Sequence, residues 1–223
     1  MKAMILAAGR GERLRPLTER LPKPLVQAGG KALIDWHLNR LAGAGYRDAV
    51  INVSHLADQV IAHVGDGARY GVQVTWSREA EPLETAGGIA QARALLGEAP
   101  FLLVNSDIYC DYDFSRLQHV SLQGSLGHLV LVPNPVQHAA GDFTLESGMV
   151  GNGAAPRYTY AGIAILSPAI VAGVRTGDKA PLGALLRQAA GEARLSGELH
   201  AGVWTDVGTA ERLAELRTLL KPT

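Results

Sequence analysis

The sequence holds a single cysteine, Cys110, among 223 residues. That excludes an intrachain disulfide and suits a reducing compartment. Cys110 follows an apolar run, so it reads as a packed spectator thiol rather than a nucleophile. Aromatic residues are scarce at 5%, and Trp36, Trp76 and Trp204 read as core or cavity wall rather than as substrate platforms. No charge of one sign dominates: 21 basic side chains face 21 acidic ones, which speaks against a surface built for nucleic acid. No apolar run reaches the length of a membrane span. The N-terminal run is too short for a signal peptide and lacks a small-residue cleavage site, so the expected setting is cytoplasmic, with no membrane partner. The seven histidines show no metal-ligand spacing and read as structural. Repeats and low-complexity stretches are missing as well.

What the chain does contain is an alternation of apolar runs and amphipathic patterns. Strands are expected at 3–6, 49–53, 72–76, 101–104, 129–132, 158–166 and 201–204. Helices are expected from Ile34 to about Gly43, at 57–64, 86–96 and 182–190, and over the final stripe of Leu213, Leu216 and Leu219. Such an order predicts an α/β fold, Rossmann-like and doubly wound, with a mostly parallel sheet. No linker-like segment interrupts it, so a single domain over 1–223 is expected. In sheets of this kind ligands sit beyond the carboxyl ends of the strands. The loop after residue 6, Asn105-Ser106-Asp107 and Thr205-Asp206 all fall there, and are expected to converge on one edge.

The loop is the most informative segment. It reads Ala7-Ala8-Gly9-Arg10-Gly11-Glu12-Arg13-Leu14-Arg15-Pro16-Leu17-Thr18, with Lys23-Pro24 close behind. Glycines let backbone N–H groups approach a polyphosphate, and arginines grip its oxygens in forked pairs. The dinucleotide fingerprint fails, because Leu14 stands where a third glycine is needed. A Walker A loop fails around Gly30-Lys31, since Leu25 and Ala32 occupy its flanking positions. The segment instead resembles the signature of the sugar-1-phosphate nucleotidyltransferases, G-x-G-x-R-L-x-P-L-T followed by K-P. Gly9, Gly11, Arg13, Leu14, Pro16, Leu17, Thr18, Lys23 and Pro24 all match it.

That resemblance implies the nucleotide-diphospho-sugar transferase type of fold, with UTP and a sugar 1-phosphate as substrates and Mg²⁺ as cofactor. It implies Arg13 and Lys23 as catalytic groups on the phosphates. Ala7, Ala8, Gly9, Gly11 and Glu12 would line the nucleotide. A second segment, Glu81-Pro82-Leu83-Glu84-Thr85-Ala86-Gly87-Gly88, resembles the family's base-recognition turn. There Thr85 would cap a helix while Gly87 and Gly88 press on the base. Asp107 and Asp206 would hold the metal. Asn105, Asp142, Glu146, Gly162 and Arg157 would meet the sugar side. Asp111 and Asp113 read as turn or helix caps.

Two departures stand out. Ser106 replaces the family's usual glycine before the first metal carboxylate, which would be strained if that backbone required a positive φ. A Glu-Lys-Pro element is missing, leaving Arg157 or a second metal ion to neutralise the sugar phosphate. The acceptor stays open between N-acetylmuramate 1-phosphate with UTP and mannose- or glucose-1-phosphate with GTP or another triphosphate. A non-catalytic nucleotide-sugar sensor is the alternative from another class. The presence of Arg13, Lys23, Asp107 and Asp206 argues for catalysis.

Overall fold

The computed structural model describes residues 1–154 and 156–221. Its strands are, in chain order, β1 (Ala3–Leu6), β2 (Gln27–Ala28), β3 (Lys31–Ala32), β4 (Asp48–Val53), β5 (Gln73–Arg78), β6 (Phe101–Asn105) and β7 (Ile108–Cys110). They continue as β8 (Gly127–Val132), β9 (Phe143–Glu146), β10 (Met149–Gly151), β11 (Arg157–Leu166), β12 (Leu195–Leu199) and β13 (Trp204–Asp206). The α-helices are α1 (Leu33–Gly43), α2 (Ala57–Val64), α3 (Glu84–Leu96), α4 (Leu182–Gly191) and α5 (Ala210–Leu219).

Nine strands join in one sheet ordered β5-β4-β1-β6-β11-β8-β12-β10-β9. Its first half, β5 through β6, runs parallel. β11 then lies antiparallel between β6 and β8, and β12 pairs β8 in parallel. The central strands are continuously apolar because both faces are covered. Alternate side chains go to opposite faces: Ala3, Ile5, Leu102 and Val104 pack with Ile34, Leu38 and Leu41 of α1. Met4 and Leu103 pack instead with Ile89 of α3 and Leu186 of α4. A third, smaller core unites Leu213 and Leu216 of α5 with Leu14, Val26, Leu33 and Val207.

The structure departs from the sequence reading along the last third of the chain. The strand expected at 201–204 lies at 204–206, and it leaves the main sheet to form a two-stranded ribbon with β7. β12 stands beside β8. Its alternation is masked by Gly197, where a Cβ would lie 2.8 Å from the Leu129 carbonyl oxygen. β9 and β10 form an edge hairpin turning through Ser147 and Gly148, both with left-handed φ (49° and 78°). No helix among the described residues is long and apolar enough to cross a membrane.

Candidate active site

The loop after β1 folds back in three short 3₁₀ turns, at Glu12–Leu14, Leu17–Glu19 and Lys23–Leu25. Gly11 opens the first with φ 65°, and the Thr18 hydroxyl donates to its carbonyl at 2.8 Å. A Cβ at Gly11 would meet Thr18 Cγ2 at 2.9 Å, so glycine is needed for space as well as conformation. Leu14 anchors the loop in the third core cluster. Arg10, Arg13 and Arg15 remain exposed, whereas Lys23 is 8% exposed.

The loop walls a cavity of about 760 Å³ at the carboxyl ends of β1 and β6. Ala7, Ala8, Gly9, Gly11 and Glu12 line it from one side; Arg13, Lys23 and Thr85 extend the wall. A second cavity of about 380 Å³ adjoins it and contains Gly162, Trp204, Asp206 and Arg212. Arg13, Asn105 and Asp107 belong to both walls. Gly162 and Asn105 depend on each other. Gly162 has φ 76° at a register shift in β11, and a Cβ there would lie 2.7 Å from Asn105 Nδ2.

Asp107 stands in the tight connection from β6 to β7. Asp206 ends β13 on the partner strand of that ribbon, and the Val207 N–H donates to the Asp107 carbonyl at 2.7 Å. The two carboxylates thus reach one place through the ribbon rather than through neighbouring strands of the main sheet. Each already meets a cation. Lys23 Nζ lies 2.5 Å from Asp107 Oδ2, and the Arg212 guanidinium binds Asp206 Oδ1, which also accepts from Gln137 Nε2 at 3.3 Å. Ser106 is buried, donates its N–H to the Leu6 carbonyl at 3.1 Å, and has no positive φ. The serine therefore causes no backbone strain.

Several expected site residues lie elsewhere. Gly87 and Gly88 face protein rather than cavity: a Cβ at Gly87 would collide with the Asp178 carbonyl, and one at Gly88 would sit 2.6 Å from Asn52 Nδ2. Helix α3 starts one residue before Thr85, behind Leu83, and the Thr85 hydroxyl instead accepts from the Leu182 N–H at 2.7 Å, at the start of α4. Asp142, Glu146 and Arg157 line neither cavity. The Asp142 carboxylate is occupied by His138 Nε2 (3.0 Å) and the Tyr160 N–H (2.8 Å). Arg157 holds the carbonyls of Gly153 and Asp142, and Glu146 is exposed on the edge hairpin. Asp113 does cap a turn, accepting from the Ser115 N–H at 2.9 Å, whereas Asp111 pairs with His200.

Other residues here escaped the sequence reading. Ala7 N–H donates to Asn52 Oδ1 (2.8 Å), Asn52 Nδ2 donates to Glu79 Oε1 (2.6 Å), and Leu83 N–H donates to Glu79 Oε2 (2.9 Å). This buried chain ties the ends of β1, β4 and β5 to the start of α3, and it commits the Ala7 N–H that a base might otherwise have used. Lys179 lines the first cavity and pairs with Glu81 at 3.0 Å, which holds that carboxyl below its ordinary range. No local motif announces these contacts, because most of them join segments far apart in the chain. The neighbours Cys110 and Asp111 are likewise joined by the distant His200, their ligand atoms lying within 4.8 Å of one another, a group able to hold a metal ion. Burial pushes the Cys110 thiol up to about 11.

Comparison with known proteins places this geometry. A family profile described as nucleotidyl transferase matches residues 2–143. N-acetylmuramate alpha-1-phosphate uridylyltransferase of Neisseria meningitidis is 46% identical over 235 residues, covering 98% of each chain. The protein of the same description from Caulobacter vibrioides is 35% identical, covering 96% of each. A solved structure from Bacillus anthracis, described as a glucose-1-phosphate thymidylyltransferase, shares the fold with a TM-score of 0.89 at 19% identity, over all of this chain and 96% of that one. A glycine-arginine loop and two adjoining cavities, with Asp107 shared by both and Asp206 in the second, accompany that match, and the chain belongs to the nucleotidyl transferase family, among the sugar-1-phosphate nucleotidyltransferases.

Proposed function

We propose that this protein condenses UTP with N-acetylmuramate 1-phosphate, forming UDP-N-acetylmuramate and pyrophosphate with Mg²⁺ as cofactor. The observation that carries the reading is the shared wall of Arg13, Asn105 and Asp107 between the two cavities, where two bound substrates would meet. The substrate pair follows from the Neisseria relative, which this chain matches along its length. The lone cysteine supports a cytoplasmic setting.

A sugar-phosphate oxygen attacks the α-phosphorus of UTP in line. A new P–O bond forms as the bond to the β-phosphate breaks, and its electron pair departs with pyrophosphate. The nucleophile is already ionised at neutral pH, so positioning and charge screening suffice without a general base. Arg13 sits where it can hold both substrates, and Lys23 faces the nucleotide cavity from beneath the loop. Asp107 and Asp206 offer hard carboxylate oxygens, the donor type that suits Mg²⁺; Cys110, Asp111 and His200 form a softer set. When bound, the ion supplies charge neutralisation at the transferring phosphate. Asn105 and Gly162 shape the acceptor side.

The test is pyrophosphate release with Mg²⁺, crossing UTP, GTP, dTTP and CTP against N-acetylmuramate-, N-acetylglucosamine-, glucose- and mannose-1-phosphate. Turnover confined to UTP and the muramate compound is expected. Turnover with a different pair would replace the acceptor or donor and keep the chemistry. Silence across all pairs, with UTP still bound, would replace catalysis by sensing.

A further inference from the structure

Both carboxylates assigned to the metal are neutralised before any metal arrives. Lys23, with a side chain only 10% exposed, meets Asp107 at 2.5 Å. Arg212, at 12%, meets Asp206, and Gly208 makes room for that pair, since a Cβ there would lie 2.8 Å from Asp206 Oδ2 and collide with the guanidinium. Two unit cations therefore stand where one divalent ion would bind. A buried ammonium cannot leave its carboxylate without another anion to receive it. Lys23 lines the first cavity and Arg212 the second, so the anions within reach are those of the two substrates.

We infer that Lys23 and Arg212 are cationic placeholders, positioning residues that hold Asp107 and Asp206 when no substrate is bound and yield them to the metal only when substrate phosphates take over the two cations. The inference rests on the reading of Asp107 and Asp206 as metal ligands. Its consequence is that the substrate-free enzyme binds divalent ions weakly. Once pyrophosphate departs, Lys23 would return to Asp107, and the two carboxylates would again hold a divalent ion only weakly.

The test is a titration of the substrate-free enzyme with Mn²⁺, following free Mn²⁺ by electron paramagnetic resonance. Lys23→Met and Arg212→Met are each expected to bind Mn²⁺ about tenfold or more tightly than the unaltered protein, the size expected when a contacting opposite charge is removed. Lys23→Arg, which keeps the cation, should bind as weakly as the unaltered protein. Arg10→Met removes a loop cation that lines the first cavity without an ion pair to either carboxylate, and should leave affinity unchanged. Circular dichroism of each variant checks that it is folded. Unchanged affinity in folded Lys23→Met and Arg212→Met would overturn the inference, as would an equal gain in Arg10→Met, which would reduce it to overall charge. A gain in Lys23→Met that survives added Asp107→Asn would place the ion elsewhere and overturn the metal reading itself.

Discussion

At the scale of single residues, the site is a set of cations whose value depends on where the loop holds them. Arg13 is exposed, yet it is the loop arginine that lines both cavities. A preorganised donor at developing charge is worth roughly 3–4 kcal/mol. Arg13→Ala is therefore expected to lower kcat by two to three orders of magnitude on that scale, with melting temperature unchanged; steady-state pyrophosphate release and a thermal melt check both halves. A second residue-scale effect lies under the site. His37 is 2% exposed on α1, and burial, followed by the nearby Arg40, pushes its imidazole from 6.5 down to about 4. Between those values the unfolded chain binds more protons than the folded one, so stability falls as pH drops through 6.5 and levels off below about 4. The loss is on the order of 3 kcal/mol when complete. Urea denaturation at pH 7 and pH 4.5 should show this component in the unaltered protein and lose it in His37→Leu.

At the scale of elements, glycine placement decides how tightly the walls close. Gly87 on α3 lies against the segment leading into α4, where the Ala86 and Gly87 N–H groups donate to the Ala180 carbonyl at 2.8 and 3.1 Å. That segment carries Lys179, which lines the first cavity. Gly87→Ala would force backbone apart at a contact with no flexible side chain to yield, costing about 1–3 kcal/mol. It should lower the melting temperature and raise KM for UTP, measured by a thermal scan and initial rates; an unchanged melt would sink this account. Most elements were legible in the sequence. The helix at 57–64 emerged with the expected bounds, and most of the early strands shifted by a residue or two. Continuous apolar runs and a 3.6-residue stripe are strong signals. The short strands β7, β10 and β12 were not legible, although Ser147-Gly148 is a recognisable hairpin turn, whereas β9 falls within 141–146, a segment that resembles a strand of the family. Three of them are interrupted or bounded by glycine or by polar edge residues, which dilutes a period of two.

At the scale of the molecule, the C-terminal helix closes the site from behind. Leu213 and Leu216 of α5 are 3% and 1% exposed, packed on Leu14 of the glycine-arginine loop and on Val207, the residue after Asp206. One small core thus fixes the loop and the second carboxylate relative to each other. Leu216→Ala is expected to destabilise the fold by about 2–4 kcal/mol and, unlike a substitution in the central sheet, to weaken UTP binding at temperatures well below the melt. Chemical denaturation and UTP titration at 20 °C would separate the two effects.

The sequence by itself determined the α/β class and the family, because these rest on local periodicity and on a contiguous motif. The candidate residues within or beside that motif, Ala7, Ala8, Gly9, Gly11, Glu12, Arg13 and Lys23, line the first cavity. Tertiary structure alone decided the rest. The approach of Asp107 and Asp206 depends on a ribbon between segments far apart in the chain, and so do the cations that occupy them. The Asn52–Glu79 chain, the outward position of Glu146 and the engagement of Asp142 and Arg157 with backbone and His138 follow from register and edge position. Those are set by pairing between segments far apart in the chain, which short strands with little apolar alternation specify only weakly.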